Sequence, residues 1–291
     1  MGEKRRKLFK EKAVREIIRY VMNRIKLTLD QIKACELAIL DNVSTFCKKN
    51  NIRYYLCGGT LLGAIRHKGF IPWDDDIDIC MPRPDYECFI KLYSNENANY
   101  TVISNRLGTL SAPFTKVVDI STEVHNKYDT SDRTEHLWID IFPVDGLPED
   151  LNKVKTIYDK CDIYRHILLL SDSILGEGTS TFRKYMKYIL KPLANLYGKQ
   201  RCINNIERIA MSYEYGSTPY IGGITNGLYG VGERMKLSEY EVPILVEFEQ
   251  RQFPTFSCWK QYLTNLYGKY MDLPPKNKRK THDMVVYRKV D

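Results

Sequence analysis

Residues 56–80 read LCGGTLLGAIRHKGFIPWDDDIDIC, and the fold turns on how this stretch is read. The apolar residues 54–57 predict a strand, and the Gly58-Gly59 pair after them a sharp turn where side chains would obstruct the backbone. Thr60 suits the N-cap of a short helix over residues 61–67, with Leu61, Leu62 and Ile65 on its buried face. The free N–H groups at such a helix start favour an anion. In Asp76-Ile77-Asp78-Ile79 the period of a strand sets both carboxylates on one face and both isoleucines on the other. Two acids side by side repel unless a cation holds them. Magnesium, which takes one or two carboxylates plus substrate phosphate oxygens, suits the pair, with manganese as the alternative. Asp74, Asp76 and Asp78 also imitate the start of a calcium loop, but Ile79 stands where that loop needs glycine, and Pro82 and Pro84 interrupt the rest. Gly-Gly-Thr alone is a common turn, and an acidic cluster alone is more often a solvated loop. In this order they predict a phosphate and divalent-metal site.

Upstream, Thr28 and Gln31 form a capping box, and Ile32, Cys35, Ile39, Val43 and Phe46 recur at helical spacing, which predicts a core helix ending near residues 48–51. Residues 4–26 mix basic and apolar residues at helical spacing, which suits either a helix packed on the body or one lying on a membrane surface. Downstream, a helix is expected over residues 84–93 and short strands over residues 100–104, 113–119 and 122–125. A longer strand over residues 137–144 places Asp140 between two isoleucines. An acid there needs a partner, either a basic residue or the metal held by Asp76 and Asp78, and we favour the metal. Asp145, beside a glycine turn, reads as a loop cap.

From residue 150 the pattern turns helical, with breaks at Pro192 and Gly198. Aromatic and basic residues interleave over residues 182–188, which a core face with a basic solvent face explains more cheaply than base stacking. Residues 220–224 and 242–248 read as strands, the glycines between 222 and 232 as a loop able to cover a site, and Ser257 as the cap of a last helix. Residues 273–282 read as an extended polybasic tail.

The 291 residues give ample length for a core, at 43% hydrophobic and 27% charged. No apolar run is long enough to span a bilayer and the N-terminus lacks a secretory core, so a cytoplasmic location is expected. Eight cysteines are scattered without a C-x-x-C pair and read as reduced core residues. The net charge of +8 suits a polyanion, an anionic membrane or a phosphorylated substrate.

The segment over residues 58–79, with WIDIFPVDG at 138–146 and YGKYMDLPPKNKRKTH at 267–282 in the same order, resembles the LicD family, relatives of fukutin and fukutin-related protein within the nucleotidyltransferase-fold superfamily. The resemblance implies an α/β (α+β) fold: a small mixed sheet carrying Asp76, Asp78 and Asp140, with a largely helical second half. We expect a basic segment over residues 1–28, a catalytic core over 29–148 and a helical region completing the site over 149–291. The implied reaction moves a phosphorylated alcohol, phosphocholine foremost, from a CDP-activated donor such as CDP-choline to a hydroxyl of a cell-surface glycan (lipopolysaccharide, teichoic acid or capsule), and releases CMP. Asp76, Asp78 and Asp140 would hold Mg²⁺, Asp140 would take the hydroxyl proton, and Gly58, Gly59 and Thr60 would bind phosphate. Arg66 and Lys116 are candidate extra cations, with structural ion pairs as the alternative. Trp73 could stack on a base or cage a quaternary ammonium, or simply pack the turn. Arg279 and His282 enter through the resemblance, as contacts to the diphosphate or the acceptor. A nucleic-acid nucleotidyltransferase would use the same glycine and Asp-x-Asp logic, but no nucleic-acid module appears, so no nucleic-acid partner is expected. A scaffold protein would require the acids to be lost.

Overall fold

The computed structural model describes residues 24–93, 98–126, 135–178, 180–279 and 284–290. Strand β1 (Arg24–Lys26) leads into α1 (Leu29–Asn50), whose N-terminus carries the reciprocal Thr28–Gln31 capping box. Residues 1–23 lie outside the described residues. The helix expected to reach Lys26 is instead a strand at its end, because β12 (Met284–Lys289) offers it a partner. Next come β2 (Tyr55–Leu56), α2 (Gly58–His67), β3 (Asp78–Pro82), α3 (Arg83–Tyr93), β4 (Tyr100–Ser104), β5 (Thr115–Asp119), β6 (Thr122–Asn126) and β7 (Leu137–Leu147). The second half holds α4 (Leu151–Asp172), α5 (Thr181–Tyr197), α6 (Lys199–Ala210), β8 (Tyr220–Gly222), β9 (Arg234–Lys236), α7 (Leu237–Tyr240), β10 (Pro243–Phe248), β11 (Arg251–Phe256) and α8 (Trp259–Tyr267). The expected α/β class is thus the observed one.

The central sheet runs β2-β3-β7-β5-β4, with β8 and β9 added on β7. Among the described residues, β3 and β7 pair in parallel and the other strand pairs of this sheet are antiparallel. Strand β7 is long enough to pair with β3 and β5 along its first part and with β8 beyond Val144, so the sheet passes through the expected boundary near residue 148. One hydrophobic core likewise draws on both halves, from Ile39, Leu61 and Ile79 to Phe248, Phe256 and Leu263. A second cluster joins α4 to α6 through Val154, Cys161, Cys202 and Ile206.

Several local expectations are corrected. Pro192 lies inside α5 rather than ending it; the residue is exposed, so the carbonyl it leaves unpaired can turn to water. Strand β11 had no counterpart in the sequence reading. It returns from β10 through Glu249 and Gln250, both at positive φ, in the two-residue turn that usually calls for Asn-Gly. Tertiary bonds hold this turn instead: the Glu249 carboxylate accepts from Phe70 N at 3.1 Å, and Glu249 N donates to Lys68 O at 2.9 Å. Nor is the tail merely extended. After a short 3₁₀ turn at Lys276–Lys278 the chain returns as β12 between β1 and β6.

On α5, Phe182, Tyr185, Ile189, Leu193 and Leu196 share one face and all face outward. Of its basic residues, Lys187 and Lys191 donate to the carbonyls of Ile174 and Ser173, while Arg183 and Lys184 are exposed. The expected basic solvent face is thus present in part, but the apolar face is exposed rather than part of a core.

Candidate functional site

The glycine turn behaves as its spacing requires, with a shifted start. Helix α2 begins at Gly58, with Cys57 as its N-cap and no side-chain cap. Gly58 sits at φ +54°, and a Cβ added there would lie 3.0 Å from Asp78 Oδ2. The first bond of the helical ladder runs from Leu61 N to Cys57 O, so the N–H groups of Gly59 and Thr60 precede it. Thr60 is not the N-cap. Its Oγ1 accepts from Asp78 N at 2.7 Å and ties the helix start to the acidic strand.

Strand β3 starts at Asp78, and Asp76 belongs to the approach to it. Burial nevertheless alternates as expected, with Ile77 and Ile79 buried and Asp76 and Asp78 partly exposed. Asp78 pairs in register with Asp140 across the parallel β3–β7 ladder, so the two acids neighbour each other on one face. Burial pushes the Asp78 carboxyl well above the usual carboxylate range; Asp76, Asp140 and Asp74 push the same way, and Lys116 pulls back.

Asp140 has the basic partner that its position demanded. Lys116 Nζ stands 3.3 Å from Asp140 Oδ1, Trp138 Nε1 donates to Oδ2 at 3.3 Å, and the same Lys116 ammonium lies 3.9 Å from the Trp138 ring centroid. Among the described residues, no three His, Cys, Asp or Glu side chains converge into a ready-made metal site. Two carboxylates beside a helix start are still the donor set that magnesium accepts when a substrate phosphate supplies further oxygens. The cradle also has room, because Gly58 and Gly59 lack the Cβ that would crowd Asp78 Oδ2 and Asp74 Oδ2.

A cleft of about 380 Å³ opens over the glycine turn and the acidic approach to β3, lined by Gly58, Gly59, Asp74, Asp76 and Asp78 on one side; Asp140 is the register neighbour of Asp78 but is not itself in the lining. Its other walls are Phe142 of β7 and, from the second half, Tyr229, Glu233, Tyr262 and Tyr267, with Gly223 and Asn226 of the glycine loop. That loop therefore does border the site. Trp73 and Arg66 line an adjoining pocket that shares Tyr267 with the main one. Arg66 donates to Tyr270 O at 2.9 Å and Asp272 O at 3.4 Å and so ties α2 to the segment after α8 through backbone carbonyls. Arg279 sits 4.6 Å over the Trp73 ring and donates to Pro274 O, which brings the basic tail against the acidic turn. His282 lies outside the described residues.

Asp145, expected to cap a loop, is a buried ion-pair member: Arg83 Nε and Nη2 donate to its two oxygens at 2.7 and 2.6 Å. Two further acids escaped the sequence reading. Glu36, on the core face of α1, is buried, and burial followed by Asp76, Asp75, Asp140 and Asp74 raises its carboxyl well above the ordinary range. Glu233 is buried in the cleft wall, where burial pushes it up to about 8, while the backbone N–H of Tyr229 and the charge of Arg165 oppose the rise. An acid at an apolar helical position was the available signal for Glu36; Glu233, in a glycine loop, gave none.

Comparison with known proteins places these features. A family model described as "LicD/FKTN/FKRP, nucleotidyltransferase domain" matches residues 51–168, which hold the glycine turn and all three candidate aspartates. The lipopolysaccharide cholinephosphotransferase LicD of Haemophilus influenzae is 34% identical over 263 residues, covering 88% of this chain and 96% of that protein. The chain belongs to the LicD family. It is thereby an enzyme of the transferase class. An uncharacterised protein of Rickettsia prowazekii is 60% identical over 37 residues, only 13% of this LicD-family chain and 14% of that protein. Among the described residues, no helix of this LicD-family protein is long and apolar enough to cross a membrane.

Proposed function

We propose that the protein transfers phosphocholine from CDP-choline to a hydroxyl of a cell-surface glycan and releases CMP. The observation that carries this reading is the Asp78–Asp140 register beside the start of α2, in a chain similar along nearly its whole length to a lipopolysaccharide cholinephosphotransferase. Asp76 and Asp78 would hold a magnesium or manganese ion with the donor phosphates, and the ion would supply neutralisation of the diphosphate charge. The N–H groups of Gly59 and Thr60 face the same phosphates from the helix start. Thr60 holds the Asp78 backbone in place. The acceptor oxygen forms a bond to the choline-bearing phosphorus as the bond to CMP breaks, and Asp140, oriented by Lys116 and Trp138, takes the hydroxyl proton. Much of the acceleration is alignment. Because nucleotide-activated donors are intracellular metabolites, the reaction belongs on the cytoplasmic side, with the acceptor presented at the inner membrane face.

The test is incubation of purified protein and Mg²⁺ with a candidate glycan and CDP-choline, CDP-glycerol, CDP-ribitol or nucleoside triphosphates. Mass spectrometry should find phosphocholine on the glycan in step with CMP release. A glycan carrying a nucleotide, or pyrophosphate release, would refute the reaction.

A further inference from the structure

We infer that the cleft wall formed by Tyr229, Tyr262, Tyr267 and Phe142 around the Glu233 carboxylate is the subsite for a cationic donor head group, and that it selects a quaternary ammonium over a neutral polyol. This rests on the phosphotransferase reading of the cleft. Glu233 is 7% exposed, yet it lines the same space as Asp78. A buried carboxylate is expensive without a counter-charge. The cation nearest in effect, Arg165, is committed elsewhere: it donates to the carbonyls of Ile224, Thr225 and Gly227 and to Asp162. The glycine loop is packed to present this acid. A Cβ at Gly223 would lie 3.6 Å from Glu233 Oε2, and one at Gly227 would strike the Tyr158 ring at 2.4 Å.

The rings supply the second half of the recognition. Tyr229 and Tyr267 meet edge to face at 5.3 Å between centroids, and Tyr262 is fixed by accepting from Gly58 N at 3.3 Å. Tyr229 and Tyr267 line the same cleft as Asp78 and Glu233. A choline ammonium lies two carbons from its phosphate oxygen, so both ends of phosphocholine would be held within this one cleft. Aromatic faces attract a cation, and a quaternary ammonium brings no N–H that needs an acceptor. A polyol gains nothing comparable from the ring faces and would have to set some of its hydroxyls against Phe142, Val144, Leu228 and Leu266.

The full-length protein is assayed for CMP release with CDP-choline and CDP-glycerol, alongside Glu233→Gln, Tyr267→Leu and Tyr267→Phe, each checked by thermal melting. Wild type should prefer CDP-choline by well over tenfold in kcat/KM. Glu233→Gln and Tyr267→Leu should raise KM for CDP-choline about tenfold and KM for CDP-glycerol by much less, so that the preference falls, whereas Tyr267→Phe, which keeps the ring, should retain the preference. Equal turnover of both donors by wild type, or variants that weaken both donors alike, would overturn the subsite and leave the reaction standing. Direct titration with phosphocholine gives a readout free of turnover. If no CDP-alcohol reacts but wild type binds phosphocholine and Glu233→Gln does not, the reaction fails and the subsite stands. Absence of binding by wild type overturns the subsite.

Discussion

Asp78 and Asp140 are register partners across the parallel β3–β7 pair of the central sheet, which puts two carboxylates side by side on one face. Lys116 forms an ion pair with one of them, its Nζ 3.3 Å from Asp140 Oδ1. Asp78 is left with a carboxyl raised by burial and by three neighbouring acids, an arrangement that favours binding a cation and costs stability without one.

Asp78→Asn should therefore abolish metal-dependent turnover, a loss of roughly a thousandfold or more if the ion supplies several kcal/mol. A carboxyl whose folded-state pKa is raised destabilises the fold as it ionises on raising pH, so in chelator at neutral pH the variant should melt at the same temperature as wild type or higher. Calorimetry beside CMP release checks both; wild-type turnover in the variant, or full activity in excess chelator, removes the metal from the reaction.

Gly58 and Gly108 separate backbone strain from site crowding. Both have positive φ, but a Cβ at Gly108 meets nothing within 4 Å, whereas one at Gly58 lies 3.0 Å from Asp78 Oδ2. Gly108→Ala should cost about 1 kcal/mol of stability and no activity, while Gly58→Ala should cost a similar amount and most of the turnover. Equal activity in the two variants would show that the close approach to Asp78 is immaterial.

Glu233, raised to about 8 by burial, gives a pH signature. The folded state holds its proton more tightly than the unfolded chain, so wild type should lose stability from this group as pH rises from about 4.5 to 8. Glu233→Gln lacks that loss. Its melting temperature should approach and then exceed that of wild type across this window, with the gap on the order of a few kcal/mol at the upper end. A gap independent of pH would show that Glu233 is not held protonated in the absence of ligand, where no bound cation favours its charged form.

The Arg83–Asp145 pair is buried, at 2.6 Å between Nη2 and Oδ2, and neither residue is part of the cleft lining. Asp145→Asn leaves the buried Arg83 with only the more exposed Glu87, at 3.4 Å, and should cost about 3–5 kcal/mol, lowering the melting temperature by roughly 5–10 °C. The double variant Arg83→Met/Asp145→Leu should be less harmed than the single one. A double variant as unstable as the single would point to packing rather than charge.

The sequence alone determined what depends on near neighbours. A glycine pair after an apolar run, acids at period two and a capping box are local patterns whose consequences the backbone dictates. They fixed the α1 core helix, the turn at Gly58, the outward Asp76 and Asp78, and the projection of Asp140 from a buried strand. Tertiary structure decided whatever needed a partner far along the chain. The pairing of β3 with β7 brings Asp140 beside Asp78 across 62 residues of sequence. Arg83 turns Asp145 from an expected loop cap into a buried ion pair. Contacts from Phe70 and Lys68 hold a turn at Glu249 that no local residue preference signals. The cleft's far wall depends on the same kind of assembly, because Glu233, Tyr262 and Tyr267 acquire their environment only when the second half packs on the first in one shared core. A side chain's charge state and burial follow from everything that surrounds it, and spacing along the chain carries none of that information.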